Sequence, residues 1–169
     1  QSETGVEAIH PVSAHLLQEQ LLSILDHTAI ACVKIGAICA PQQIGILLET
    51  LSGRSGLCLI LDPVFKPSRG LAFLPQSAIP QYRELLGIAS YLSPNYSELE
   101  ALTERKVNSL ESALAAARIL LEDYDLGILL KGGHGDSGEI REAYLSRKVC
   151  YLFSHPRSVW HYSHGTGCA

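Results

Sequence analysis

Five short stretches of this sequence carry groups that could do chemistry on an anion. They are Lys34-Ile35-Gly36, Asp62-Pro63-Val64, Asn95-Tyr96-Ser97-Glu98, Lys131-Gly132-Gly133-His134 and Gly165-Thr166-Gly167-Cys168. In the last of these, the glycines let backbone amides approach an anion closely, and a following helix would add its positive end. Cys168 would then sit in a first helical turn, where a thiol loses its proton more readily and could serve as base or nucleophile. The plainer alternative is a glycine-bearing turn with an inert thiol.

Asn95 and Glu98 follow Pro94 at a spacing that brings both side chains to one helix face. An amide and a carboxylate there could hold a hydrated magnesium ion, which needs few protein oxygens. The alternative is a helix cap by Asn95, with Glu98 favouring the positive helix end. Asp62 precedes a proline and reads first as a turn residue, or else as a carboxylate oriented toward magnesium-bound water or phosphate. Lys131 could place an ammonium near phosphates, with Gly132 and Gly133 leaving room, or the segment could simply end a strand. His134, His164 and Cys168 lack the local spacing of a zinc site.

The elements that must position these groups alternate. Leu16, Leu17, Leu21, Leu22 and Leu25 fall at helical spacing behind Ser13, a plausible cap, and predict a helix over 15–25. Residues 30–35 and 57–61 read as buried strands, with a helix opened by Pro41 between them. A helix over 80–88, a brief strand at Tyr91-Leu92, helices over 97–102 and 109–124, and a buried strand over 126–130 follow. Residues 143–145 and 149–153 read as a hairpin. Such alternation predicts an α/β layered fold with a mainly parallel sheet. In that class ligands bind beyond the carboxyl ends of the strands, where all five stretches lie.

Composition narrows the class. At 169 residues one domain is the expectation, and 47% hydrophobic against 18% charged residues describes a globular chain. A formal charge of −4 argues against a nucleic-acid partner, and no apolar run approaches the roughly 18 residues of a membrane span. The five cysteines are odd in number and irregularly spaced, with no CxxC pair. Cys32, Cys58 and Cys150 lie in or beside apolar runs and are expected to be buried small hydrophobes, in a reducing cytosol. The sequence contains no methionine, where usual abundance would place roughly three, and this suggests a trimmed chain.

In their order and approximate spacing, V-K-I-G, D-P-V, S-P-N-Y-S-E, K-G-G-H and H-G-T-G-C resemble hydroxymethylpyrimidine kinase/phosphomethylpyrimidine kinase, a thiamine-biosynthesis family of the ribokinase-like superfamily. The resemblance covers nearly the whole chain. It implies a three-layer ribokinase-like sandwich, with a mainly parallel central sheet and helices on both faces. It also implies ATP-dependent phosphorylation of the pyrimidine alcohol and then of its monophosphate, with magnesium, in a cytoplasmic homodimer. Gly165, Thr166, Gly167 and Cys168 would form the anion hole, Cys168 standing where most ribokinase-like sugar kinases carry an aspartate base. Glu98 and Asp62 would lie at the metal, Asn95, Lys131, Gly132 and Gly133 at the nucleotide phosphates, and Gln1 at the pyrimidine ring. Family members begin earlier and continue past the cysteine into further helix, so residues 1–169 are expected to be one incomplete kinase domain. Ser68-Arg69-Gly70 departs from the family's usual Ser-Gly after D-P-V. Two alternatives stand beside this reading: a pyridoxal or pyridoxine kinase of the same superfamily, and a non-catalytic pyrimidine-binding derivative.

Overall fold

The computed structural model describes residues 5–67, 69–132 and 138–156. The chain divides into two compact units, Gln1–Tyr91 and Leu92–Ala169.

In the first unit, α1 (Ala14–Leu25) begins where a hydroxyl can satisfy an unpaired amide: Ser13 Oγ accepts from the Leu16 N–H at 3.2 Å. Strand β1 (Cys32–Ile35) leads through α2 (Pro41–Leu51) into β2 (Cys58–Leu61), and the two strands pair in parallel. Pro41 opens α2 at a position whose amide would go unused. The residue before it, Ala40, has no side-chain acceptor to cap the helix. Buried Gln43 takes over part of that role, its Oε1 accepting from the Cys39 and Ala40 N–H groups while its Nε2 donates to the Val12 carbonyl. The apolar positions of α2, Ile44, Leu47 and Leu51, are buried as their spacing predicts. A 3-10 turn (Gln76–Ala78), α3 (Ile79–Glu84) and a second 3-10 turn (Leu85–Gly87) run on continuously. Tyr82 packs edge-on against Phe65 at 4.9 Å between ring centres. The Ser90 N–H then donates to the Leu59 carbonyl (2.8 Å), bringing the start of β3 (Tyr91–Leu92) beside β2.

The second unit holds α4 (Tyr96–Thr103), α5 (Leu110–Asp123), β4 (Gly127–Leu130), β5 (Glu139–Leu145) and β6 (Cys150–Pro156). The alanine face of α5 is buried through Ala113, Ala116 and Ala117, with Leu120 and Leu121 extending it. Antiparallel pairing joins β4 to β5 and β5 to β6, so the expected hairpin exists and is longer than predicted. Parallel pairing in the first unit and antiparallel pairing in the second make the strand content of this α/β chain mixed. In the hairpin turn, Arg147 donates from Nε to the Leu121 carbonyl (2.9 Å) and from its terminal amine to that of Glu122 (3.3 Å). Those carbonyls belong to the last turn of α5, which has no helical donors of its own.

The expected burial of β1, Cys32 and Cys150 is corrected. β1 is not a buried strand: only Ile35 is buried, and Cys32 and Lys34 are exposed. Every residue of β6 is exposed, with Leu152 at 61% and Tyr151 at 55%. Cys32 and Cys150 are therefore surface thiols rather than core hydrophobes. The reason is positional, since among the described residues each of these strands ends the strand order and pairs on one side only. Apolar composition signals a strand but does not distinguish a central one from an edge. None of the described helices is long and apolar enough to cross a membrane.

Candidate functional site

Two groups of the expected site residues lie among the described ones, one in each unit. In the first unit, the end of β2 carries Asp62 into the interior, where the residue is only 2% exposed. Backbone bonds fix it, its N–H donating to the Ile35 carbonyl (2.8 Å) and its carbonyl accepting from the Val64 N–H (2.7 Å). A carboxylate so buried calls for a positive partner, and Lys34 Nζ lies 3.1 Å from Oδ2. Lys34 opens one of the five strand-end stretches, but no site role was expected of it. The signal was the register: Lys34 pairs with Ile60, two residues before Asp62, so parallel pairing brings both ends together. Lys34→Met would keep the aliphatic stem and leave the Asp62 carboxylate without this ammonium. Because Lys34 is half exposed, the expected loss is about 1–2 kcal/mol, less than for a fully buried pair. Urea unfolding at neutral pH measures it, and an unmoved midpoint would mean the pair contributes nothing.

In the second unit, Asn95 and Glu98 do what a capping box requires. The Glu98 N–H donates to Asn95 Oδ1 (2.9 Å), and the Asn95 N–H donates to Glu98 Oε2 (2.7 Å). Ser97 Oγ also donates to Asn95 Oδ1, at 2.8 Å. The helix-cap alternative is thus present, and it leaves room for another role, since the Glu98 carboxylate also lies 3.7 Å from Lys131 Nζ. Both side chains are largely buried, at 8% and 19% exposure. Lys131 is held at the end of β4 by its own N–H, which donates to the Pro94 carbonyl (2.9 Å). Glu98 therefore receives an amide and an ammonium on one oxygen and is fixed before any ligand arrives. Tyr96 stands between the two capping residues in sequence. Burial pushes its phenol up, the Arg141 guanidinium only partly offsetting this, so it stays protonated at neutral pH and offers no base.

Gly132 has a packing reason that its motif did not disclose. A Cβ there would run into the backbone carbonyl of Arg141 on β5. Gly132→Ala is accordingly expected to cost about 1–3 kcal/mol by overpacking, read as a lowered unfolding midpoint. Wild-type stability in that variant would show that β5 can move aside.

Gln1, Gly133, His134, His164, Gly165, Thr166, Gly167 and Cys168 lie outside the described residues. Among the described residues, no three His, Cys, Asp or Glu side chains converge as metal ligands. Asp62 and Glu98 are nonetheless buried carboxylates already facing ammonium groups, and carboxylate oxygen is the donor that magnesium prefers. Each unit thus supplies one buried carboxylate of the donor type that ion takes.

The family model described as phosphomethylpyrimidine kinase matches residues 1–169. The hydroxymethylpyrimidine/phosphomethylpyrimidine kinase of Staphylococcus aureus (strain MRSA252) is 27% identical over 99% of this chain and 62% of its own length. A solved phosphomethylpyrimidine kinase from Clostridium difficile superposes with a TM-score of 0.79 at 23% identity, over 90% of this chain and 66% of that one. The pyridoxal kinase of Staphylococcus aureus, solved with AMP-PCP, superposes with a TM-score of 0.85 at 22% identity, over 99% of this chain and 62% of that one. These two structural likenesses establish the ribokinase-like α/β fold. The chain spans less than two thirds of the length of each of the three proteins. The ordered strand-end motifs and the match along all 169 residues agree: the chain belongs to the phosphomethylpyrimidine kinase family.

Proposed function

We propose that the protein transfers phosphate from ATP to hydroxymethylpyrimidine and then to its monophosphate, as a thiamine-biosynthesis kinase. The observation that carries this reading is the family match over residues 1–169. The buried Glu98–Lys131 pair supports it, because phosphoryl transfer is mostly positioning and charge neutralisation. Lys131, with Gly132, Gly133 and Asn95, binds the nucleotide phosphates, and Gln1 contacts the pyrimidine ring. As the alcohol oxygen bonds to the terminal phosphorus, its proton passes to the Cys168 thiolate and ADP leaves. The amides of Gly165, Thr166 and Gly167 hold the charge that develops on the transferred group. Glu98 and Asp62 would hold magnesium, which when bound neutralises phosphate charge. The protein works on small molecules as a cytoplasmic homodimer, without nucleic-acid or membrane partners.

The deciding experiment competes hydroxymethylpyrimidine against pyridoxal in one ATP-dependent assay, since preference is a ratio of kcat/KM values. Preferential consumption of the pyrimidine is expected. Preferential consumption of pyridoxal would make the protein a vitamin B6 alcohol kinase. Pyrimidine binding without any use of ATP would make it a non-catalytic derivative.

A further inference from the structure

Cys32 and Cys58 are the first residues of β1 and β2 and are direct partners in the parallel ladder. Partners in register project to the same face of a sheet. Adjacent strands lie about 4.7–4.9 Å apart, within the span of about 4.4–6.8 Å between Cα atoms that a disulfide bridges. The backbone holds them there: the Cys58 N–H donates to the Ala31 carbonyl at 2.9 Å. Cys32 is exposed and Cys58 partly so, which leaves the pair open to a small reagent. The other described cysteines are placed differently. Cys150 faces Leu145 across the β5–β6 ladder, and Cys39 lies beyond the end of β1.

We propose that Cys32 and Cys58 form a reversible dithiol–disulfide pair, a redox modification site whose oxidant is a low-molecular-weight disulfide. One thiolate attacks a sulfur of the oxidant and displaces a thiolate, giving a mixed disulfide. The second protein thiolate attacks the protein sulfur of that bond and displaces the other half. The pair loses two electrons, the oxidant gains two, and the two thiol protons end on the released thiols. Burial, and then the neighbouring Cys58, push the Cys32 thiol up, so attack by Cys32 quickens as pH rises. The pair sits at the amino end of the ladder, while Lys34 and Asp62 meet at its carboxyl end. Its oxidation can therefore be measured without any reference to phosphoryl transfer.

The test holds the purified protein in oxidised glutathione, quenches with N-ethylmaleimide and maps the peptides by mass. A peptide pair joined through Cys32 and Cys58, lighter by two hydrogens and released by dithiothreitol, is expected. Cys58→Ser should carry glutathione on Cys32 at about ten times the wild-type level or more, for want of a resolving thiol. Cys32→Ser should do the same at Cys58. Full alkylation of both cysteines in the treated wild type would overturn the proposal. So would glutathione persisting on wild-type Cys32, or a bridge to Cys39, Cys150 or Cys168 in place of the Cys32–Cys58 bond.

Discussion

Cys168→Ala is expected to lower the rate of phosphoryl transfer by about 10²–10⁴-fold, the usual contribution of a positioned proton acceptor. In the proposed arrangement the phosphates are held by Lys131 and by the backbone amides of Gly165, Thr166 and Gly167, none of which the substitution removes. ATP affinity should therefore change little. Single-turnover measurement of ATP cleavage, beside equilibrium binding of a non-hydrolysable analogue, separates the two effects. Full turnover in the variant would remove Cys168 from the mechanism and leave the glycine-bearing turn as its only role. Equal loss of binding and rate would instead mean that the thiol shapes the anion site. The activity attributed to this family would survive that second outcome, since only the identity of the proton acceptor would change.

Glu98→Gln is expected to separate the two roles of one side chain. The amide oxygen of glutamine can still accept from the Asn95 N–H, so the capping box should persist. What disappears is the negative charge 3.7 Å from Lys131 Nζ. Turnover is expected to fall by about 10²–10³-fold, the scale of losing one fixed charge aimed at the reacting group. Stability should fall by only about 1 kcal/mol, because Lys131 keeps some access to water. Asn95→Ala removes the side-chain acceptor at the cap and is expected to cost about 1 kcal/mol of stability. If Glu98→Gln turns over at the wild-type rate, the carboxylate is a cap and nothing more. Circular dichroism on the same variant checks that α4 remains folded.

Much of this arrangement was readable from local rules. Ser13 and Ser109 mark helix starts by supplying an acceptor, and Pro41 marks one by lacking a donor. Tyr91-Leu92 and the hairpin after β4 follow from short apolar segments between turn residues. Local rules gave out where an outcome depended on what lies across space. The apolar stretch from Ile30 to Ile35 looks the same at an edge as in the middle of a sheet, and it is largely exposed. Gly132 reads as room for a phosphate until the Arg141 carbonyl is found in the place of its missing Cβ. Lys34 has no motif of its own beyond a strand end, and its partner is 28 positions away (62 − 34). Asn95 and Glu98 were readable as either cap or ligand because the same three-residue spacing produces both. The structure shows the cap, with the same carboxylate 3.7 Å from Lys131 Nζ.

The guanidinium of Arg147 ties two elements that the chain separates. It belongs to the turn of the β5–β6 hairpin, yet two of its donors go to carbonyls in the last turn of α5. If the hairpin turn opens, those carbonyls lose their donor, and the end of α5 loses a reason to stay wound. Fraying of the helix and opening of the hairpin are thereby coupled into one cooperative event. The same hairpin also lies against Gly132, through the Arg141 backbone.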